Sequence, residues 1–417
     1  MDKFRSELLS VLQERDFIYQ CTDIEQLDNI CATQKISGYI GFDATAKSLQ
    51  VGNLSVIMLL RWFQHFGHKP IVLVGGGTSR LGDPSFKQTA RPLMSLERIQ
   101  ENINGISKVF AKLLKFDHSP KGACLVNNAD WLSDIKYLDF LRDFGCHFTV
   151  NKMLSMDCVK TRLDGGDPLS FIEFNYSLMQ AYDFFHLNKE FGCVLQMGGA
   201  DQWCNIISGV DLTRKLSRTP VFGLTAPLVT NASGMKMGKT AAGAVWLNED
   251  MCLPYDYWQF WRNTDDRDVI CYLKKFTELP MDEIHKLSLL EGREINDAKT
   301  VLADEATALI HGRQVLDGIH AAAGAVFGAD GDDATLPSFK LNRDQLPIAL
   351  DDLFVLSGLC ASKGDLKRLV TGSGVSVEGQ VVTDPKQLVT IDKIADKGLL
   401  LSVGKKRHIK VVVNEQK

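Results

Sequence analysis

The feature that most limits the fold of this chain is an alternation of short apolar runs with helical patterns over its first 230 or so residues. Five runs are typical of strands: 35–42, 69–76, 123–128, 193–199 and 219–229. Several are continuously apolar, as in a parallel sheet that is covered on both faces. Between them, apolar residues from Leu96 to Leu113 recur at spacings of three and four, which predicts a helix. The alternation predicts a doubly wound, Rossmann-like α/β domain with its ligand at the carboxyl ends of the strands.

Beyond this α/β domain, which we expect to span 1–230, the sequence predicts a loop and a helical domain. An aromatic and methionine-rich stretch at 130–170 interrupts the alternation and is typical of an insertion. A mobile loop and linker at 231–250 follow the domain. Helical periodicity without a strand signal then predicts a helical domain at 251–327.

The C-terminal part predicts a linker and a small α+β unit. The composition of 328–346 indicates the linker, and the unit occupies 347–417. Within the unit, Ser362 and Asp365 have the spacing of a helix capping box. A β-hairpin is predicted to turn at Glu378-Gly379.

The bulk composition excludes several classes of protein. The chain has 417 residues, 45% hydrophobic and 24% charged, which suits two or three globular domains and leaves little room for disorder. No apolar run approaches the roughly 18–20 residues that span a bilayer. Ten scattered cysteines and the absence of an export signal indicate reduced thiols in the cytoplasm, without a disulfide framework or a metal site. A net charge of −4 argues against coating by nucleic acid, although the segment 397–417 holds six Lys or Arg against Glu415 alone.

A row of polar residues on the otherwise apolar helix 169–186 is the most informative candidate for a site. Glu173, Tyr176, Gln180 and Asp183 follow one another at spacings of three, four and three, so they share one face. Such a row must meet water, another polar face or a ligand, because unpaired burial is costly. Periodicity alone leaves these possibilities open.

Three further segments are compatible with phosphate binding. A predicted strand, a glycine-containing turn and a helix follow one another over 39–54, and a glycine at a helix start lets a phosphate approach main-chain N–H groups. Lys87 and Arg91 lie four residues apart. The loop 233–240 carries two lysines, but Ser233 stands where a P-loop needs its first glycine and no helix follows, which excludes a P-loop. Taken singly, each segment is equally compatible with an ordinary turn or a solvated surface.

Five motifs in this order resemble those of the bacterial-type tyrosyl-tRNA synthetases, a family of class I aminoacyl-tRNA synthetases. They are YIGFDATA (39–46), GDPSFK (82–87), SFIEFNYSLMQAYDF (170–184), QMGGADQW (196–203) and KMGKT (236–240). The resemblance runs from about residue 35 to the C-terminus, and the order and spacing of the motifs are more specific than any one of them. It implies a Rossmann-like catalytic domain, a helical anticodon-side domain, a small RNA-binding C-terminal domain and the activity of a tyrosine–tRNA ligase.

The resemblance implies roles for the polar row. The phenol hydroxyl of tyrosine is expected between Tyr39 and Asp183. Its ammonium group is expected to meet Asp83, Tyr176 and Gln180. A buried carboxylate needs a hydrogen-bond donor, which the side chain of tyrosine has and that of phenylalanine lacks. This enzyme family is the usual example of such selectivity between amino acids.

The resemblance also implies an ATP and adenylate site, lined by Gly41, Asp43, Thr45, Gly52, Asn53, Asp201 and Gln202. Asp201 is the expected acceptor for the ribose hydroxyls. A cationic clamp on the departing pyrophosphate is expected from Lys87, Arg91, Lys236 and Lys239. In-line attack by the tyrosine carboxylate on the α-phosphorus needs no covalent enzyme intermediate, and Mg²⁺ is expected to accompany ATP.

The ATP signature of the family, His-Ile-Gly-His or a near variant, is Gln50-Val51-Gly52-Asn53 in this chain. Gln50 can donate a neutral N–H to a phosphate oxygen but cannot become cationic. We expect activation of tyrosine to survive this change at a lower rate. Cys204 and Ala129 are smaller departures that affect local packing.

The partners that the resemblance implies are tRNA(Tyr), L-tyrosine, ATP and a second copy of the chain, which would pair through the insertion. Three rival functions remain. A tryptophanyl-tRNA synthetase is disfavoured by the pair Tyr39 and Asp183, and a small-molecule adenylyltransferase by the RNA-binding tail. A catalytically weakened RNA-binding scaffold derived from a synthetase is supported only by the missing histidines.

Overall fold

A computed structural model describes residues 4–83, 94–166, 168–240, 243–327, 338–372, 374–394, 398–404 and 407–414. The chain divides into two compact units, one of Met1–Cys252 with Arg262–Ile310 and the other of Leu253–Trp261 with His311–Lys417. This division differs from the expected boundaries, because the expected helical domain 251–327 is shared between the two units.

Helices and strands alternate over much of the first 230 residues, as the sequence predicts, with runs of helices in the insertion 130–170 and after residue 251. The helices are α1 (Glu7–Glu14), α2 (Ile24–Thr33), α3 (Val51–His65), α4 (Leu96–Leu113), α5 (Ala129–Leu132), α6 (Tyr137–Asp143), α7 (Val150–Leu154), α8 (Asp157–Asp164), α9 (Phe171–Phe191), α10 (Trp203–Ser217), α11 (Pro254–Arg262), α12 (Val269–Phe276), α13 (Met281–Ser288), α14 (Ile295–His311) and α15 (Leu316–Phe327). The strands are β1 (Gln20–Cys21), β2 (Ser37–Phe42), β3 (Lys69–Val74), β4 (Cys124–Asn127), β5 (Cys193–Gly199), β6 (Phe222–Ala226), β7 (Lys239–Thr240) and β8 (Gly243–Ala244).

The first unit is built on a six-stranded sheet with the order β1-β6-β5-β2-β3-β4. The strands β2 to β6 run parallel to their neighbours, which confirms the predicted doubly wound fold. The two-residue strand β1, which sequence reasoning missed, pairs antiparallel with β6 at the edge. Strand order reverses between β2 and β5, and ligands of such sheets bind at this reversal, beyond the carboxyl ends of the strands.

Helix α9 crosses one face of the sheet and brings the polar row to this reversal. Its start is fixed by a capping box in which Ser170 Oγ accepts from Glu173 N and Glu173 accepts from Ser170 N. It ends at Gly192, whose φ of 61° suits a left-handed helix terminus. Phe184 and Leu187 of α9 are fully buried against the sheet, so apolar packing fixes which side of the helix faces the ligand edge.

The insertion 130–170 forms four short helices, α5 to α8, with several exposed apolar side chains. Tyr137 is 60% exposed and Leu138 77%, and Phe171 at the start of α9 is 67% exposed. Within the described ranges, no helix combines the length and the apolar character that a membrane span requires.

The last part of the second unit has a five-stranded sheet of its own, in the order β12-β11-β14-β15-β9. Its elements are β9 (Ser338–Asn342), β10 (Ile348–Ala349), α16 (Leu350–Leu356), α17 (Lys363–Thr371), β11 (Val375–Val377), β12 (Gln380–Val381), β13 (Leu388–Val389), α18 (Ile391–Ile394), β14 (Leu399–Val403) and β15 (Arg407–Asn414). The hairpin turns at Glu378 and Gly379, both with positive φ, as predicted. Ser362 caps α17 by accepting from Asp365 N.

The expected linker 328–346 differs from the structure in its second half. Residues 338–342 form β9, which pairs parallel with the C-terminal strand β15. Leu341 of β9 is fully buried in the core of this sheet, so a single apolar side chain fixes a segment whose composition is otherwise that of a linker. Residues 328–337 lie outside the described part of the chain.

Candidate active site

The expected site residues converge on one cavity of about 480 Å³, beyond the carboxyl ends of the parallel strands. Its lining includes fourteen of them: Tyr39, Gly41, Asp43, Thr45, Gln50, Gly52, Asn53, Asp83, Tyr176, Gln180, Asp183, Asp201, Gln202 and Lys236. They come from β2 and the segment that follows it, the start of α3, the segment that follows β3, the middle of α9, the turn after β5 and the loop before β7. A cavity assembled at the reversal of strand order is where this fold binds nucleotides and small acids.

Four residues of the expected site or polar row lie elsewhere or are not placed. Lys87 and Arg91 lie outside the described residues, and Lys239 is described only as the first residue of β7. Glu173 belongs to the polar row but not to the cavity. It forms the capping box of α9 and a buried ion pair with Arg162 over 2.9 Å, with each side chain only 7% exposed.

A buried carboxylate, that of Asp183, forms one end of the cavity. Its Oδ2 accepts from Asn128 Nδ2 over 3.0 Å, and its Oδ1 accepts from Trp131 Nε1 over 2.7 Å. Burial raises the pKa of Asp183 to about 7, against the lowering effect of these two hydrogen bonds. The carboxylate therefore retains unused acceptor capacity towards the cavity, because two donors occupy only part of it.

The hydroxyl of Tyr39 lies near this carboxylate and lacks a partner. It is fully buried and makes no hydrogen bond to any described residue. Burial, together with the charge of Asp183, raises the pKa of Tyr39 well above its ordinary value. An unpaired buried hydroxyl is costly, so its presence beside a cavity points to a ligand with a polar group at this position.

A second carboxylate, that of Asp43, lies further along the cavity. Its Oδ2 accepts from the hydroxyl of Tyr176 over 3.2 Å, and its Oδ1 accepts from Thr78 Oγ1 over 3.0 Å. Burial, and then the charges of Asp43 and Asp83, raise the pKa of Tyr176 well above its ordinary value. The hydroxyl of Tyr176 therefore stays protonated and can act as a donor.

A third set of polar side chains in the cavity is connected by hydrogen bonds to Gln202, in the short turn after β5. Its Nε2 donates to Asp83 Oδ2 over 2.8 Å, and its Oε1 accepts from Gln180 Nε2 over 3.3 Å. Asn205 Nδ2 donates to the same Oε1 over 3.3 Å. Gln180 and Asp83, which are distant in sequence, are thereby held on one side of the cavity.

The start of α3 and the loop 233–240, which carries Lys236 and Lys239 and is called the lysine loop below, form the other end of the cavity. Gln50 N donates to Asn53 Oδ1 over 3.0 Å, which caps the helix. A Cβ atom at Gly52 would lie 2.8 Å from the main-chain oxygen of Met237, so only glycine lets the loop approach this closely. Lys236 Nζ lies 3.5 Å from Asp201 Oδ2.

Sequence reasoning missed Thr78, Asn128 and Trp131, which orient the carboxylates. Asn128 immediately follows β4, and Thr78 follows β3 after the three glycines 75–77, so their position beyond strand ends was the available signal. Trp131 was interpreted only as part of an aromatic insertion. Nothing in its spacing indicates a hydrogen bond to a residue of α9.

No group of three or more His, Cys, Asp or Glu side chains in the described ranges could hold a metal ion. Of the carboxylates of the cavity, those of Asp43, Asp83 and Asp183 accept from neutral donors, and that of Asp201 faces Lys236. The site can therefore orient a polar ligand by hydrogen bonds at one end and meet an anion with main-chain N–H groups and lysine at the other.

Comparison with protein families gives one match over most of the chain. Residues 32–328 match the family model described as tRNA synthetases class I (W and Y). Curated relatives include the tyrosine–tRNA ligase of Novosphingobium aromaticivorans, 51% identical over 408 residues, and that of Agrobacterium fabrum, 48% identical over 414 residues. The first alignment covers 98% of each chain and the second 99% of each chain.

Solved structures give the same result for the larger part of the chain. A C-terminally truncated mitochondrial tyrosyl-tRNA synthetase of Aspergillus nidulans superposes with a TM-score of 0.68 and is 31% identical, covering 75% of this chain and 92% of that one. A tyrosyl-tRNA synthetase of Archaeoglobus fulgidus, complexed with L-tyrosine, has a TM-score of 0.55 at 18% identity, covering 74% of this chain and 99% of that one. The second likeness shows the fold alone.

Proposed function

The chain belongs to the class I tRNA synthetases of the tryptophan and tyrosine family, and from this membership we propose how its residues act as a tyrosine–tRNA ligase. The ligase activates L-tyrosine with ATP, giving tyrosyl-adenylate and pyrophosphate, and then transfers the tyrosyl group to tRNA. The roles of individual residues in the following steps are our proposal.

One observation carries the choice of tyrosine: the unpaired hydroxyl of Tyr39 beside the buried carboxylate of Asp183. A phenol hydroxyl can donate to the carboxylate and accept from the Tyr39 hydroxyl at the same time. Tyrosine thus satisfies both groups, whereas phenylalanine leaves both unpaired. Asn128 and Trp131 hold the carboxylate in the orientation that this contact requires.

The ammonium group of tyrosine is assigned to Asp83, Tyr176 and Gln180. Asp83 supplies a carboxylate, Tyr176 a hydroxyl oxygen and Gln180 an amide oxygen, and all three line the same cavity. Gln202 holds Asp83 and Gln180 together by its two hydrogen bonds. Tyrosine then lies with its phenol between Tyr39 and Asp183 and its carboxylate towards the start of α3.

Activation follows from this placement. An oxygen of the tyrosine carboxylate forms a bond to the α-phosphorus of ATP, and the bond from this phosphorus to the pyrophosphate oxygen breaks in line. The carboxylate is already ionised, so no general base is needed, and catalysis consists of alignment and charge stabilisation. Gln50 and Thr45 meet the phosphates, while Gly41, Gly52 and Asn53 leave room for the nucleotide.

A set of cations stabilises the departing pyrophosphate: Lys87, Arg91, Lys236 and Lys239. Asp201 accepts from the ribose hydroxyls, so Lys236 must leave Asp201 when the nucleotide binds. The magnesium ion of the substrate complex enters on the phosphates of ATP, where it neutralises charge.

In the second step a hydroxyl of the terminal ribose of tRNA(Tyr) attacks the carbonyl carbon of tyrosyl-adenylate, and AMP leaves. We assign the C-terminal α+β unit to RNA binding, supported by the Lys and Arg residues between 397 and 417. We place the reaction in the cytoplasm.

We propose that two copies pair through the insertion 130–170. Tyr137, Leu138 and Phe171 are more than half exposed, and exposed apolar groups of this kind are typical of an interface between copies. Sedimentation of the full chain tests the pairing, with a dimer as the expected species.

The decisive experiment is tyrosine-dependent ATP–pyrophosphate exchange, followed by charging of tRNA(Tyr). Exchange with tyrosine and none with tryptophan or phenylalanine is the expected result. A catalytically silent RNA-binding scaffold would show no exchange, and a tryptophan enzyme would show exchange with tryptophan.

A further inference from the structure

The glycine triplet 75–77 is a feature of the sequence to which the reaction assigns no role. It follows β3 and precedes Thr78. A Cβ atom at Gly75 would lie 2.4 Å from Thr78 Oγ1 and 2.5 Å from Asp43 Oδ1. Real side chains do not approach so closely, so a glycine at position 75 is what allows the hydroxyl of Thr78 to reach Asp43.

The same turn fixes the amide of Asn128. Its Oδ1 accepts from the main-chain N–H of Gly77 over 2.8 Å and from that of Thr78 over 3.4 Å. With the amide oxygen turned to these N–H groups, Nδ2 must face the other way. It donates to Asp183 Oδ2 over 3.0 Å and to Thr78 Oγ1 over 3.1 Å.

Thr78 has one hydroxyl proton, and its direction is therefore determined. The oxygen accepts from Asn128, and the proton goes to Asp43, which as a carboxylate can only accept. The result is a continuous series of hydrogen bonds from Asp183 through Asn128 and Thr78 to Asp43. Thr78, Asn128 and Asp183 are each at most 3% exposed, so most of this series is buried.

We propose that Thr78 is a positioning residue that joins the carboxylates of Asp183 and Asp43. The phenol end of tyrosine at Asp183 and the ammonium end at Tyr176, whose hydroxyl donates to Asp43, are thereby bound in concert. The proposal rests on the tyrosine-binding role of this cavity. Thr78 itself is assigned no contact with the substrate. It acts on the phenol end through Asn128 and on the middle of the cavity through Asp43.

The test is Thr78→Val, which keeps the shape and removes the hydroxyl, against Thr78→Ser, which keeps the hydroxyl. Inhibition of tyrosine-dependent exchange by 3-(4-hydroxyphenyl)propionate measures the phenol end alone, because this analogue has no ammonium group. We expect Thr78→Val to weaken this inhibition about fivefold and to raise the KM for tyrosine about tenfold, with the KM for ATP unchanged within about twofold. Thr78→Ser should keep the inhibition constant and the KM for tyrosine near those of the unmodified protein. Gly75→Ala should weaken the inhibition and raise the KM for tyrosine as Thr78→Val does.

A matched control separates positioning from general stability. Ser79, the next residue, is also buried, and its hydroxyl accepts from the main-chain N–H of Ala44 over 2.8 Å, outside the series that joins Asp183 to Asp43. Ser79→Ala should lower the melting temperature and leave inhibition by the analogue unchanged. An unchanged inhibition constant in Thr78→Val, or an analogue that does not bind the unmodified protein, overturns the proposal. Absence of tyrosine-dependent exchange in the unmodified protein would instead overturn the proposed function.

Discussion

The indole N–H of Trp131 donates to Oδ1 of Asp183 over 2.7 Å, across 52 residues of sequence. Trp131 is on α5 in the insertion, and Asp183 is on α9 among the proposed substrate contacts. The ring of Trp131 also stacks on His186 one turn further along α9, with centroids 4.3 Å apart. The insertion therefore contributes to the proposed tyrosine pocket by orienting a carboxylate that lines it.

Removal of the Tyr39 hydroxyl should weaken the binding of tyrosine without lowering the stability of the protein. The hydroxyl has no partner in the described structure, so Tyr39→Phe removes an unsatisfied buried group and should not lower the melting temperature. The KM for tyrosine should rise roughly fivefold, because one hydrogen bond to the phenol is lost, at about 1 kcal/mol. Thermal unfolding and exchange kinetics measure the two effects. A fall in the melting temperature would show that the hydroxyl has a structural partner.

Tyrosine affinity should depend on the protonation of Asp183. Burial raises its pKa to about 7, from an ordinary 3.8. The ionised carboxylate is a stronger acceptor for the phenol O–H than the protonated carboxyl group, so the dissociation constant of tyrosine should fall as the pH rises from about 6 to 8. Calorimetric titrations over this range provide the measurement, and Asp183→Asn, which cannot ionise, should abolish the slope. The same slope in the variant would assign the titration to another group.

The same pKa predicts the opposite trend for stability. Between pH 4 and 7 the folded protein keeps the proton of Asp183 that the unfolded chain has lost. The free energy of unfolding therefore decreases through this window as the pH rises, as far as this group is concerned. Comparison of urea unfolding between the unmodified protein and Asp183→Asn isolates this contribution. An equal pH dependence in both proteins contradicts the prediction.

Replacement of Gln50 by His should accelerate activation. Gln50 lines the cavity at the start of α3 and offers only a neutral donor to a phosphate. Gln50→His should raise the exchange rate about fivefold, since a charge-assisted hydrogen bond is about twice as strong as a neutral one. The gain should be larger at pH 6 than at pH 8, where the imidazole is neutral. An exchange rate that is unchanged or lower in Gln50→His would contradict this prediction.

Gly52→Ala should raise the KM for ATP and leave the KM for tyrosine unchanged. The added methyl group would lie 2.8 Å from the main-chain oxygen of Met237, and a backbone atom cannot turn aside as a side chain can. The lysine loop must then move away from α3, and we expect the KM for ATP to rise about tenfold, a loss of about 1.4 kcal/mol. Gly364→Ala is the control, because its Cβ would meet nothing closer than 3.8 Å. An equal rise in both variants would exclude the loop contact as the cause.

Removal of one partner of the buried ion pair Arg162–Glu173 should lower the stability of the protein. Both side chains are 7% exposed, so Arg162→Met removes the cation from the buried Glu173 carboxylate, which keeps its hydrogen bonds with Ser170, and should lower the free energy of unfolding by about 3 kcal/mol. Arg162→Met with Glu173→Met should recover most of this loss. Urea unfolding of the two variants tests the pair. A double variant no more stable than the single one would place the loss elsewhere.

The sequence was a reliable guide wherever a short-range pattern determines the structure. The parallel strands and the polar row on α9 follow from periodicity, and the hairpin at Glu378-Gly379 follows from its turn residues. It failed where a tertiary contact decides. The strand β1 has only two residues, and β9 lies in a segment of linker composition that Leu341 fixes in the core.

The site shows the same limit. Glu173 shares the spacing of the polar row, but its side chain lies outside the cavity, where it forms the capping box of α9 and an ion pair with Arg162. The contacts of Thr78, Asn128 and Trp131 connect segments 35 to 55 residues apart, which no local pattern encodes.

The pocket is assembled from distant parts of the chain, and this has a consequence for protein synthesis. Tyr176 meets Asp43 across 133 residues, and Gln202 meets Asp83 across 119. A nascent chain that has not yet emerged from the ribosome beyond Gln202 lacks one wall of the pocket, however much of the sheet has formed. A chain interrupted before Gln202, near the middle of the 417 residues, therefore lacks part of the proposed tyrosine pocket and cannot compete with the finished enzyme for its substrate.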